Sequence, residues 1–304
     1  MAGEGGRVDG RAHMITAAQL TLDGVALGAA YALVALGFVL VLNAVGAVNF
    51  AQGDLVMAGG YGAAVLGGFL PLPGIALLPI VMLLMALLGL AVAALAYFPL
   101  LRRPPSAVFI STIAVGLLLQ NGALHLFGPE LRSAPPLWSG GQFAWGSLTL
   151  SYQGLAIIVV AALLVLVLRL AFRRTRLGRQ LRATAQDREM AAALGIRVNV
   201  MIALTFAISA ALAGAAGTLL ANQFFLTPAE GGSLILKAYI AVVIGGWGSL
   251  EGAVLGALLI ALFETVVAAA LSYTAASALL YGTTLAILLV RPQGLFGEAA
   301  GRRA

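Results

Sequence analysis

Five ionisable side chains, Asp23, Asp54, Lys237, Glu251 and Glu264, fall in or beside long apolar runs of this sequence. A charge at the centre of a bilayer costs about 2.5–3.5 kcal/mol or more on insertion scales, so such a residue marks a polar cavity, a buried partner or a pathway. Asp23 and Lys237 lie near the ends of their runs and are read as interfacial, within snorkelling reach of water. Glu251 falls in a turn. Glu264, in "ALLIALFETVVAAA", is the deep one, and as a lone glutamate it faces a polar cavity or an inter-helix partner without making a proton relay. Four amides, Asn49, Gln52, Gln120 and Asn121, stand in otherwise apolar surroundings. Bonding between helices is the commoner use of such groups, and lining a polar path is the other.

Catalytic chemistry finds no support. The chain has no cysteine, so thiol nucleophiles, thiolate metal sites and disulfides are excluded. His13 and His125 are isolated, with no HExxH and no carboxylate at ligand spacing, so no metal site is expected. No GxxxxGK[ST] occurs, so the chain carries no Walker-type ATP site. Serines and threonines lack a histidine partner for nucleophilic catalysis. No enzyme activity and no cofactor are expected.

One polar stretch interrupts the apolar sequence: "RATAQDREMAAALGIRVN", residues 182–199. Thr184 suits a helix N-cap, Asp187 its first turn and Gly195 its C-terminal end. The body of this helix is about 15 Å long, far too short to span a bilayer. Ala183, Met190, Ala191 and Leu194 are expected on one face, with Arg182, Gln186 and Glu189 on another. An amphipathic piece of this kind lies on a membrane surface or docks into a partner's groove.

The elements that position these residues follow from composition. Hydrophobic residues make up 62% of the 304 and charged residues 9%, with a mean hydropathy of +1.04. A soluble chain is roughly half apolar and about a quarter charged. The sequence is therefore that of an all-α polytopic membrane protein. Nine apolar segments are expected, near 17–42, 50–70, 74–98, 106–127, 155–172, 199–221, 235–247, 251–271 and 275–290. The second, with "AQGDLVMAGGYGAAVLGG", and the seventh, which breaks at Gly245, Gly246 and Gly248, read as broken or re-entrant, giving a bundle of 8–9 membrane segments. Interrupted segments in both halves of a chain point to a substrate path, and entry from opposite sides is the pattern of an inverted repeat; close helix packing selects glycine equally well. GxxxG pairs (Gly24 with Gly28, Gly252 with Gly256) and the Ala203, Ala207, Ala211, Ala215 stripe read as packing.

Arginines set the orientation. Arg102 and Arg103, then Arg169 to Arg197, then Arg291, Arg302 and Arg303, fall on one side of nine crossings, the cytoplasmic side. The loop "FGPELRSAPPLWSGGQFAWGS" falls outside. Residues 1–16 read as a flexible tail, with Met14 as an alternative start and no signal-peptide pattern. Residues 17–290 read as the membrane domain, with 173–198 as a cytoplasmic loop, and 291–304 as a cytoplasmic tail. The net charge of +6 belongs to this topology and not to nucleic-acid binding.

Four blocks in order, "GAAYALVALGFVLVLNAVGAVNFAQGDLVMAGGYGAA" (28–64), "RATAQDREMAAALGIRVN", "IAVVIGGWGSLEGAVLGALLIAL" (240–262) and "RPQGLFG" (291–297), resemble the LivH-type permeases of branched-chain amino acid ABC transporters. The resemblance covers nearly the whole chain after Met14. It implies a multi-pass subunit of the bacterial inner membrane, surrounded by lipid, that works with a second permease, two cytoplasmic ATP-binding subunits and a periplasmic or lipid-anchored substrate-binding protein. It also implies that the stretch after the fifth segment is the coupling helix, with Thr184, Asp187, Arg188, Met190, Ala191, Ala192, Leu194 and Gly195 as the residues that meet the ATPase. "AAALG" (191–195) compresses the spacing of the related "EAA…G" loop, so individual contacts do not transfer. A translocation path would then run past Asn49, Gln52, Gln120, Asn121, Gly245, Gly246 and Glu264. Urea or short-chain amide importers share these motifs, and a stand-alone secondary carrier driven through Glu264 is the alternative of a different class.

Overall fold

The computed structural model describes residues 5–138, 141–145, 148–223 and 227–290. The third arginine cluster, the "RPQGLFG" block and the C-terminal tail lie outside the described residues. In chain order the helices are α1 (Gly5–Val45), α2 (Gln52–Phe69), α3 (Gly74–Val92), α4 (Pro105–Phe127), α5 (Tyr152–Arg174), α6 (Arg176–Gln186), α7 (Arg188–Ala193), α8 (Val198–Gln223), α9 (Gly231–Gly245), α10 (Leu250–Ala270) and α11 (Tyr273–Val290). A short antiparallel hairpin, β1 (Gln142–Trp145) and β2 (Leu148–Ser151), precedes α5. α3 runs on through a π-helical turn, Ala93–Tyr97, and a 3₁₀ turn, Phe98–Leu100. The helical geometry of α1 extends back to Gly5, through residues expected as a tail, while its membrane-length apolar part begins at Thr16.

Among the described residues, seven helices are long and apolar enough to cross a membrane. The two remaining apolar segments are those that sequence marks as broken. α9 has 15 residues and is about 22 Å long. α2 has the same 18 residues as α11 but is less apolar, with Gln52, Asp54 and repeated glycines, and it starts inside the bundle. Gln52, its first residue, meets Ser209 of α8, which in turn meets the Gly37 carbonyl of α1. Gly37 lies eight residues before the end of α1 at Val45, which is about 12 Å along the helix. Residues 46–51 therefore climb back into the bundle as irregular chain before α2 begins.

α1 is the central element, with 83% of its most apolar window buried. Helices in lipid gain nothing from the hydrophobic effect on associating, so close backbone approach must hold them. The tightest case joins α9 to α10, where a Cβ on Gly245 would strike the carbonyl of Gly252, and a Cβ on Gly252 that of Gly245. The turn between them uses Gly246 at φ +102° and Gly248 at φ +83°, a region that favours glycine.

Polar contacts sort by end. At one end Asn43 of α1 donates to the Gly248 carbonyl at 2.8 Å, and Arg169 and Arg173 of α5 pair with Glu251 at 3.0 and 2.9 Å. At the other, the Gly74 N–H donates to the Pro136 carbonyl and the Ala134 N–H to Ala221. The arginine-rich connection thus shares an end with the close of α1 and the start of α10. The loop after α4 shares the opposite end with the start of α3 and the close of α8. This is the segregation that an alternating path through nine segments requires.

Candidate functional site

At the arginine end, the expected single helix from Thr184 to Gly195 is two helices. Asp187 is extended (φ −153°, ψ 111°); it closes α6 and caps α7, its carboxylate accepting the Met190 N–H at 2.9 Å. α6 instead starts at Thr175, whose hydroxyl accepts from the Gly178 N–H. Thr184 is therefore buried inside α6 and caps nothing. Two strong caps competed, and the one that leaves Leu181 and Thr184 facing the bundle prevailed. α7 ends as expected. Gly195 takes φ +79°, the Ile196 N–H donates to the Ala191 carbonyl at 3.0 Å and the Gly195 N–H to Ala192 at 2.9 Å, a Schellman closure.

The break at Asp187 also redistributes the faces of the expected helix. Ala191 is buried against the bundle, whereas Met190 and Leu194 are 60% and 73% exposed, beside the exposed Ala192. Arg188 points inward: Nη2 donates to the Ala44 carbonyl at 2.6 Å and Nη1 to the Tyr97 hydroxyl at 3.1 Å. Ala44 lies in the last turn of α1, where carbonyls lack helical partners and a positive charge is favoured. Tyr97 closes the π-helical turn after α3. Arg188 thus ties α7 to two spanning helices, leaving Met190 and Leu194 as its outward apolar surface.

Deeper in the bundle, Asn49, Gln52 and Gln120 converge on the start of α2. Asn49 folds over the first turn, its Oδ1 accepting the Ala51 N–H at 3.2 Å, while its buried Nδ2 has no partner. Gln52 is fully buried; Ser209 Oγ lies 2.8 Å from both Gln52 Oε1 and the Gly37 carbonyl, so its one proton serves one at a time. Gln120 of α4 donates to Asp54 Oδ1 at 2.8 Å, and the Phe50 N–H donates to Thr112 Oγ1 at 3.1 Å. The structure does not bring the other residues of the expected path here. Asn121 is exposed on α4 and donates to its own Leu117 carbonyl. Gly245 and Gly246 form the tight turn at the arginine end.

Glu264 has a partner that its sequence position hides. Lys237 is not interfacial: its side chain is 3% exposed, and Nζ lies 2.6 Å from Glu264 Oε1. Nζ also donates to the hydroxyls of Tyr31 at 2.8 Å and Tyr273 at 2.9 Å, so all three ammonium protons are used. The Tyr31 hydroxyl donates to Glu264 Oε2 at 3.3 Å. Four helices, α1, α9, α10 and α11, meet in this closed network. The only sequence signal was that one lysine and one deep glutamate, opposite in charge, occur in apolar runs. Among the described residues no group of three histidine, cysteine or acidic side chains is placed to hold a metal.

Residues 20–289 match the family described as the permease component of branched-chain amino acid transport systems. The high-affinity branched-chain amino acid transport system permease protein BraD of Pseudomonas aeruginosa is 34% identical, over 92% of this chain and 95% of its own length. LivH of Escherichia coli, which bears the same description, is 33% identical over the same shares. LivM of Escherichia coli, also described as a permease protein of that system, is 29% identical over 90% of this chain and 69% of its own. No solved structure matches.

Proposed function

The chain belongs to the family of branched-chain amino acid transport permeases, and from that premise we propose that it is one of two permease subunits of an ABC importer for leucine, isoleucine and valine in the bacterial inner membrane. The arginine end faces the cytoplasm, where one of two ATP-binding subunits engages α7. A binding protein delivers substrate at the opposite end. Similarity to both LivH and LivM supports a pairing of two related permeases. The observation that carries the coupling role is α7 itself: a capped, six-residue helix with Met190 and Leu194 exposed outward and Arg188 anchored inward. Exposed apolar side chains on a short polar connection suit a protein groove. The anchor gives movement of α7 a route to α1 and to residues 46–51 that follow it.

Gln52 and Asn49 stand where residues 46–51 meet α2, and they with Gln120 are the path residues this reading retains. Glu264 serves the bundle: with Lys237 saturating it, no vacant carboxylate is left there to bind a coupling ion, which removes the motive for a stand-alone carrier. The test is reconstitution. With ATPases, second permease and binding protein, proteoliposomes should accumulate leucine only when ATP is supplied on the arginine side. Accumulation by this chain alone under an ion gradient would refute the proposal.

A further inference from the structure

Among the described residues two acidic side chains are buried in the membrane segments, and the bundle treats them differently. Glu264 is matched by Lys237. Asp54, in the first turn of α2, is 5% exposed and has no cationic partner among the described residues. Gln120 donates to Oδ1, and no described group donates to Oδ2. The N-terminus of α2 offers partial compensation, equivalent to about half a positive charge. An intramembrane carboxylate left with a vacant oxygen is a functional candidate by default.

The surroundings make room for that oxygen. A Cβ on Gly116 of α4 would strike Oδ2, and one on Gly231 of α9 would strike Oδ1, so both flanking helices meet the carboxylate without side chains. On α4, Thr112, Gly116 and Gln120 recur every fourth residue, forming one stripe that faces residues 50–54. α4 is otherwise an outer helix, only 22% of its window buried, held mainly by α2 and by the turn after α3. Parting this seam uncovers Asp54 and releases only a few core contacts of α4, chiefly those of Val108 and Ala123. At the same helix start, the buried Asn49 Nδ2 is a donor without an acceptor. A vacant acceptor and a vacant donor, five positions apart in the chain, complement the two ends of an amino-acid zwitterion. Urea and short-chain amides have no ammonium to offer.

We infer that Asp54 is the ammonium-binding group of the translocation path, its Oδ2 receiving the substrate's α-ammonium as the α2–α4 seam opens, with Asn49 Nδ2 serving the carboxylate. This rests on the importer reading above. The experiment uses the complete complex in proteoliposomes, with leucine as the probe. Asp54→Asn keeps the shape and an acceptor for Gln120 but loses the charge. Leucine uptake should fall at least tenfold, while assembly and binding-protein-stimulated ATP hydrolysis persist. Thr112→Val, which breaks the neutral Phe50 N–H bond of the same seam and leaves the carboxylate in place, should keep uptake within about threefold of wild type, the low end for one neutral hydrogen bond. Wild-type uptake by Asp54→Asn would overturn the inference. So would loss of assembly in Asp54→Asn, or an equal fall in both variants, since either assigns Asp54 to holding α4. If the wild-type complex itself moves no leucine with ATP, the importer reading fails; if the wild type transports and Asp54→Asn matches it, only the role of Asp54 fails.

Discussion

Replacing Glu264 by Gln should destabilise the bundle more than any comparable polar change on its surface. The substitution leaves the Lys237 ammonium, 3% exposed, facing an amide and two tyrosine hydroxyls. Removing one member of a buried ion pair typically costs about 3–5 kcal/mol, because the remaining charge is buried without compensation. Against a total folding stability of about 5–15 kcal/mol this is a large fraction. Lys237→Met should cost a similar amount by stranding the carboxylate. The double variant Lys237→Met/Glu264→Gln carries no stranded charge, and its amide still offers an acceptor to the Tyr31 hydroxyl. It should recover most of the loss, since neutral replacement of both partners of a buried pair is often near neutral. The assay is an equilibrium unfolding series in mixed micelles for wild type, both singles and the double. A coupling energy above about 2 kcal/mol is expected from a contact of this kind. Singles within about 1 kcal/mol of wild type, or a double no more stable than the worse single, would refute the reasoning.

Two further outcomes follow from the arginine end. Arg188→Gln should leave the complex assembled and α7 capped by Asp187 but cut the link to Ala44 and Tyr97, so ATP hydrolysis should continue while leucine uptake per ATP falls severalfold; an unchanged ratio would show that the tie is dispensable. Because the chain has no native cysteine, single cysteines report cleanly: Ser133→Cys should label with an impermeant reagent from outside, and Gln180→Cys from the cytoplasmic side alone.

The two irregular segments were legible because glycine content is a local signal. The depth at which α2 begins was not, since the climb of residues 46–51 depends on Ser209 and Thr112, far away in sequence. Lys237 was misplaced for a simple reason. The segment was expected from 235, whereas α9 begins at Gly231, and that extra turn carries Lys237 inward to a glutamate 27 residues on. Thr184 and Asp187 are both good caps by type; only the helix begun at Thr175 decides between them. The π-helical turn that presents Tyr97 to Arg188 leaves no mark in the sequence. By contrast, Gly195 could be read directly, because a left-handed residue after a short helix is nearly a glycine signature.

Leu194→Asp tests the central claim most directly. The residue is 73% exposed at the C-cap of α7 and lies outside every spanning helix, so the permease should insert and fold normally. If α7 seats in an ATPase groove, a carboxylate there is buried without a partner at a cost of several kcal/mol. Binding-protein-stimulated ATP hydrolysis and leucine uptake should both collapse in the reconstituted complex, while Arg182→Ala, at an exposed position on α6, should change neither by more than about twofold, as surface substitutions usually do. Uptake at the wild-type rate in an assembled Leu194→Asp complex would contradict the account.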